Sequence, residues 1–150
     1  MALKERIAAD FKTAMLARDT FATELLSGLK AAILNEEVAK GARDEGLADD
    51  AIEALIAREV KKRDEAAGLF EQGGNQASAD KERREAEALK EYLPEQMSEA
   101  DVQKLVDETI VELKPEGMKD MGRVIGAVKA KAGNAADGAL IANLVKTSLQ

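Results

Sequence analysis

Ser27 and Lys30 stand three residues apart in Ser27-Gly28-Leu29-Lys30, the spacing at which a lysine one helical turn away deprotonates a serine for acyl transfer. The companion motifs of such acylating enzymes are missing, so the pair reads as helix surface. Gly133 and Gly138 have the glycine spacing of a phosphate-binding loop. Ala139 and Leu140 fill the places where lysine and serine or threonine are needed, and no strand pattern comes before them. Gly133 reads instead as a helix stop and Asp137 as the N-cap of the next helix. The adjacent carboxylates Glu36-Glu37 and Asp49-Asp50 would have to converge in a sheltered place to hold a divalent cation or move a proton. Neighbouring helical positions point in different directions, so both pairs are expected on solvated faces. With no cysteine and no histidine in 150 residues, thiolate and imidazole chemistry is excluded, disulfides included. No catalytic residue, metal ligand or cofactor is assigned.

Charge distribution carries more information. The formal net charge is -7, which argues against indiscriminate coating of nucleic acid, since that binding is driven by net positive charge. Up to Pro94 there are 15 basic and 20 acidic residues, and beyond it 7 and 9. From Met118 onward, however, Lys119, Arg123, Lys129, Lys131 and Lys146 face only Asp120 and Asp137. That stretch is a candidate phosphate-binding surface. Arg58, Lys61, Lys62 and Arg63 form a second basic cluster. Aromatic residues are 3% of the chain, so any nucleic-acid contact would read backbone and shape rather than stack bases.

These residues must be positioned by helices. Alanine, leucine, lysine and glutamate dominate, which favours an all-α fold packed through aliphatic faces. Apolar residues recur at helical spacing from Leu3 to Leu16, Phe21 to Val38, Ile52 to Phe70 and, more thinly, Lys81 to Leu93. The first two are expected to form an antiparallel hairpin. Pro94, one of two prolines, stops the fourth helix near Leu93. Ser98 with Asp101 three residues on then offers a new N-cap. Val102 to Leu113, Lys119 to Ala132 and Leu140 to Leu149 make three shorter helices. The expected organisation is an amino-terminal domain of about four helices over 1–94, joined at Pro94 to a three-helix domain over 95–150. Tyr92 and Pro94 mark the hinge. Gly122 and Gly126, one helical turn apart, are expected to let another backbone approach closely. No stretch approaches the ~18 consecutive apolar residues of a membrane span and no apolar signal core opens the chain, so a cytoplasmic protein without a membrane role is expected.

Together, Arg18-Asp19, Leu29-Lys30-Ala31-Ala32-Ile33-Leu34-Asn35, Arg58 through Ala66, Asp80-Lys81-Glu82 and Tyr92-Leu93-Pro94 resemble the YqeY family. Met121-Gly122-Arg123-Val124-Ile125-Gly126, Ala136-Asp137-Gly138 and Leu144-Val145-Lys146 extend the resemblance over essentially the whole chain. That family is similar to the tail of the B subunit of the tRNA-dependent amidotransferase, which uses glutamine to amidate glutamate or aspartate mischarged on tRNA. The resemblance implies a two-part helical fold and a tRNA-contacting role for the tail. The family's label is carbon–nitrogen ligase with glutamine as amido-nitrogen donor. It puts Met121-Gly122-Arg123 and Gly126 on the tail's packing and RNA-facing helix, and Lys62-Arg63 in a charged run of the amino-terminal domain. Ala22, Ser27 and Leu34 depart from the basic residues expected there in many members, which weakens an RNA-binding role for the second helix.

The expectation is an accessory tRNA-binding module linked to glutamine-dependent tRNA amidation, with tRNA and translation-related proteins as partners. The alternative is a helical protein–protein interaction module without RNA binding. Amidotransferase activity of the chain itself ranks last, because no nucleophile, base pair or nucleotide loop survives. The charge pattern sets no oligomeric state.

Overall fold

The computed structural model describes residues 2–150; Met1, the first residue of the expected amino-terminal domain, lies outside the described residues. Among the described residues there are seven α-helices and no strand: α1 (Leu3–Leu16), α2 (Thr20–Ala39), α3 (Asp49–Gln72), α4 (Gln76–Lys90), α5 (Glu99–Leu113), α6 (Met121–Ala132) and α7 (Gly138–Leu149). The fold is all-α, as the composition requires. Short 3₁₀ turns at Met118–Asp120 and Gly133–Ala135 bracket α6. The chain divides between Leu93 and Pro94 into two compact units, with four helices in the first and three in the second.

In the first unit, α1 buries Leu3, Ile7 and Ala14, one stripe at helical spacing. It ends without glycine. Arg18 takes the left-handed conformation at φ 56°, where its amide and that of Asp19 bond back to Met15 and Ala14 at 3.1 and 3.0 Å. Those bonds satisfy the terminal carbonyls and offset a left-handed cost of about 1–2 kcal/mol for a residue with a Cβ. The Asp19 carboxylate then caps α2, accepting from the Ala22 amide at 3.0 Å. α1 and α2 run antiparallel, for Lys4 meets Glu37 and Lys30 lies over Phe11. The core joins Ile7 and the α2 stripe Leu26, Leu29 and Ile33 to Ile52, Ile56 and Leu89 of α3 and α4. α4 begins at Gln76 rather than Lys81, because Asn75 is the cap and accepts from the Ser78 amide at 3.1 Å. It also stops at Lys90, with residues 91–93 in a turn that brings the chain to Pro94.

In the second unit Ser98 caps α5, its hydroxyl accepting from the Asp101 amide at 3.1 Å. α5 ends at Leu113 and is capped by Lys114, left-handed at φ 49° immediately before Pro115. The core is built from Val102, Val106, Val124, Val128, Ile141 and Val145. Thr109 is fully buried among them and donates to the Leu105 carbonyl at 2.7 Å, so burial of its hydroxyl costs little. Asp137 occupies the N-cap position of α7, as expected, but its side chain makes no capping hydrogen bond. Among the described residues, no helix is long and apolar enough to cross a membrane.

Candidate functional site

The five carboxy-terminal basic residues divide into two sets. Lys119 is ion-paired with Glu116. Arg123 donates to the Leu113 carbonyl at 3.2 Å and lies 3.8 Å from the Asp120 carboxylate. Lys131 reaches across to α5, bonding Glu112 at 2.7 Å and the Thr109 hydroxyl at 3.2 Å. Glu112 and Glu116 lie just upstream of the stretch that looked basic by counting, and folding brings both onto it. Lys129 and Lys146 are exposed.

Each residue advances about 100° around a helix, so Lys129 and Lys131 leave α6 on opposite flanks of the buried Val124 and Val128. Lys131 goes to α5. Lys129 goes to α7, where its Cε and Nζ lie 3.2 and 3.3 Å from the place a Cβ on Gly138 would occupy. Its ammonium therefore sits at the amino end of α7, the positive end of that helix's dipole. Lys146 lies two turns further along the same helix. α6 thus presents no single basic stripe. Of these five, Lys129 lies beside the start of α7 and Lys146 further along it, while Lys119, Arg123 and Lys131 meet carboxylates or a carbonyl; Lys104 and Lys114 of the same unit are exposed as well.

Gly122 and Gly126 were expected to receive another backbone. A Cβ built on either meets no atom of another element within 4 Å, and both are exposed. Within the second unit, among the described residues, their spacing serves no close approach, because the buried face of α6 is carried by Val124 and Val128 instead.

In the second basic cluster Arg58, Lys61 and Lys62 are exposed and Arg63 is part-buried. Arg58 bonds Glu36 at 2.8 Å, and Lys62 lies 3.5 Å from Glu59. Arg63, with 21% side-chain exposure, bridges Glu59 at 2.9 Å and Glu85 at 3.1 Å, tying α3 to α4. Tyr92 is fastened within the first unit, its hydroxyl bonded to Asp10 at 2.6 Å and its ring under the Arg6 guanidinium at 4.7 Å. Pro94 opens the second unit, where its carbonyl accepts from the Gln96 amide at 2.9 Å; that amide also donates to the Asn134 carbonyl at 3.0 Å.

Of the side chains weighed for catalysis, Lys30 sits 4.4 Å over the Phe11 ring rather than hydrogen-bonding Ser27. Glu36 and Glu37 diverge, as adjacent helical residues must, but only Glu36 stays near solvent. Glu37 is 1% exposed and takes two bonds from Lys4, at 2.8 and 3.0 Å, and one from the Leu47 amide at 3.0 Å. The Lys4 hydrogen bond holds its carboxyl below the usual glutamate value against the cost of burial. The solvated face expected for Glu37 is therefore corrected: it lies four residues after Ile33 and eight after Leu29, on the buried stripe of α2. That spacing was the available signal. Asp49 accepts from the Leu3 amide at 3.0 Å, holding the start of α1 against the start of α3. Among the described residues no cluster of three acidic side chains could hold a metal ion.

The family model described as Yqey-like protein matches residues 4–149. A search of curated proteins gives no match.

Proposed function

The chain belongs to the YqeY-like protein family, and from that premise we propose that it is an accessory tRNA-binding module related to glutamine-dependent amidation of mischarged tRNA. The observation that carries this reading is the pair of exposed lysines, Lys129 and Lys146, flanked by Lys119, Arg123 and Lys131 on one small helical unit. Phosphate oxygens are the natural partners of such cations. The three carboxylate-held cations add to the surface when RNA arrives, because exposed ion pairs are worth only about 0–1 kcal/mol and a phosphate can replace the carboxylate. With so few aromatic side chains, recognition runs through backbone and shape. The kinase and glutaminase chemistry of amidation belongs, in this reading, to other proteins.

The test is binding of bulk tRNA to the purified chain at low salt, beside a variant with Lys119, Arg123, Lys129 and Lys131 all changed to glutamate. The wild type binds and the variant does not. Absence of affinity at low salt, or affinity indifferent to the reversal, overturns the reading. Release of ammonia from glutamine by the purified chain alone would overturn its accessory status.

A further inference from the structure

On α4 the charged run Arg83-Arg84-Glu85 splits. Arg83 pairs with Glu71 and Glu85 with Arg63, both across to α3. Arg84 faces the other way and lies 3.8 Å over the ring of Phe21, in the first turn of α2. Because α4 packs mainly along α3 and α2 mainly along α1, a cleft of about 440 Å³ stays open between the start of α2 and the middle of α4. Its lining is Thr20, Phe21 and Glu24 from α2 and Asp80, Lys81 and Arg84 from α4. The volume lies within the range of about 300–1,000 Å³ usual for small-molecule sites.

Two cations and two carboxylates share this cleft without neutralising one another. Among the described residues the side chains of Glu24 and Lys81 have no ionic or hydrogen-bonded partner, and Arg84 has the Phe21 ring alone. Asp80 accepts from the Gln76 amide at 2.7 Å through Oδ1, which leaves Oδ2. Glu24 is therefore the principal free acceptor. Elsewhere in this unit opposite charges on facing helices have closed on each other, Arg58 on Glu36 and Arg63 on Glu85. With its Cζ held over the ring, the Arg84 guanidinium is positioned while its N–H fork, which suits a carboxylate, is unspent.

We infer that this cleft binds a small zwitterion, a free α-amino acid. The electrostatics select that class. A lone anion such as phosphate meets Glu24 and Asp80, and a lone cation meets Lys81 and Arg84, so each is opposed by like charge. A ligand carrying both signs on either side of one carbon satisfies both walls at once. Its carboxylate takes the Arg84 fork and Lys81, and its ammonium donates to Glu24 and to Oδ2 of Asp80. The Phe21 ring and the methylene stems of Lys81 and Arg84 form an apolar wall for its side chain. None of the carboxy-terminal basic residues takes part, so this site is independent of RNA binding.

The probe is L-leucine, titrated into the intact chain by isothermal calorimetry. Beside it run N-acetyl-L-leucine, which lacks the ammonium, and L-leucinamide, which lacks the carboxylate. L-Leucine is expected to bind, and each blocked compound to bind about tenfold more weakly, the loss of one charge-assisted contact. Glu24→Gln should reduce the preference for L-leucine over N-acetyl-L-leucine, and Arg84→Gln the preference over L-leucinamide. A merely structural loss would weaken all three compounds alike. Glu24 is exposed, so Glu24→Gln keeps the melting temperature. No binding of L-leucine at millimolar concentration, or equal binding of all three compounds, overturns the proposal. So does tighter binding of inorganic phosphate abolished by Arg84→Gln, which would make the cleft an anion site.

Discussion

The Tyr92 hydroxyl donates a 2.6 Å hydrogen bond to Oδ2 of Asp10, a residue 82 positions earlier in the chain. With Arg6 over the ring, this contact fastens the turn after α4 onto α1 and ends the first unit in a fixed place. Burial first, then the Asp10 carboxylate, pushes the tyrosine above its ordinary value of 10.0.

Tyr92→Phe is expected to cost about 1.5–3 kcal/mol in chemical denaturation at neutral pH, the size of a hydrogen bond to a charged acceptor. Because the folded form holds the proton more tightly, the linked stability is complete below pH 10.0 and is lost as pH rises above it. Wild type and variant should therefore converge in alkaline solution. An equal gap at pH 7 and pH 11 would contradict the coupling.

Glu37 behaves in the opposite sense. Its carboxyl is held below 4.5, chiefly by the Lys4 hydrogen bond. The stability it contributes is complete above that value and is lost as pH falls through the lower folded one. Glu37→Gln is expected to lower the melting temperature by several degrees at pH 7 and by progressively less toward pH 3. A difference that does not shrink on acidification would show that the charge of Glu37 is not what matters.

Glu112→Gln removes the carboxylate 2.7 Å from Lys131 and leaves that ammonium its bond to Thr109. On the proposed function, the variant binds tRNA about two- to fivefold more tightly at low salt, the worth of a part-exposed ion pair. Unchanged or weakened binding would mean that Lys131 does not meet phosphate.

Much of the fold was legible in residue spacing. Helices announce themselves through i, i+3 and i+4 recurrence, and Pro94, Ser98 and Asp19 punctuate them by well-understood backbone chemistry. The start of α4 was not, because Asn75 and Asp80 are both competent caps, and it is Asn75 that accepts from the Ser78 amide. The candidate site was less legible for an electrostatic reason. A sequence window counts charges near one another along the chain, but Lys131 meets Glu112 nineteen positions away and Arg58 meets Glu36 twenty-two away. Gly122 and Gly126 misled in the same way, since spacing shows that a close approach is permitted and not that a neighbour makes it. Glu37 hid behind its residue type.

The most direct test of the RNA-binding account is the salt dependence of bulk tRNA binding, measured for the wild type and for Lys129→Ala with Lys146→Ala. Each phosphate contact contributes about 0.7–0.9 to the slope of log affinity against log salt. The account predicts binding at low salt that weakens as salt rises, and a slope shallower by about 1.4–1.8 in the double variant. No binding by the wild type, or the same slope in both proteins, would contradict it.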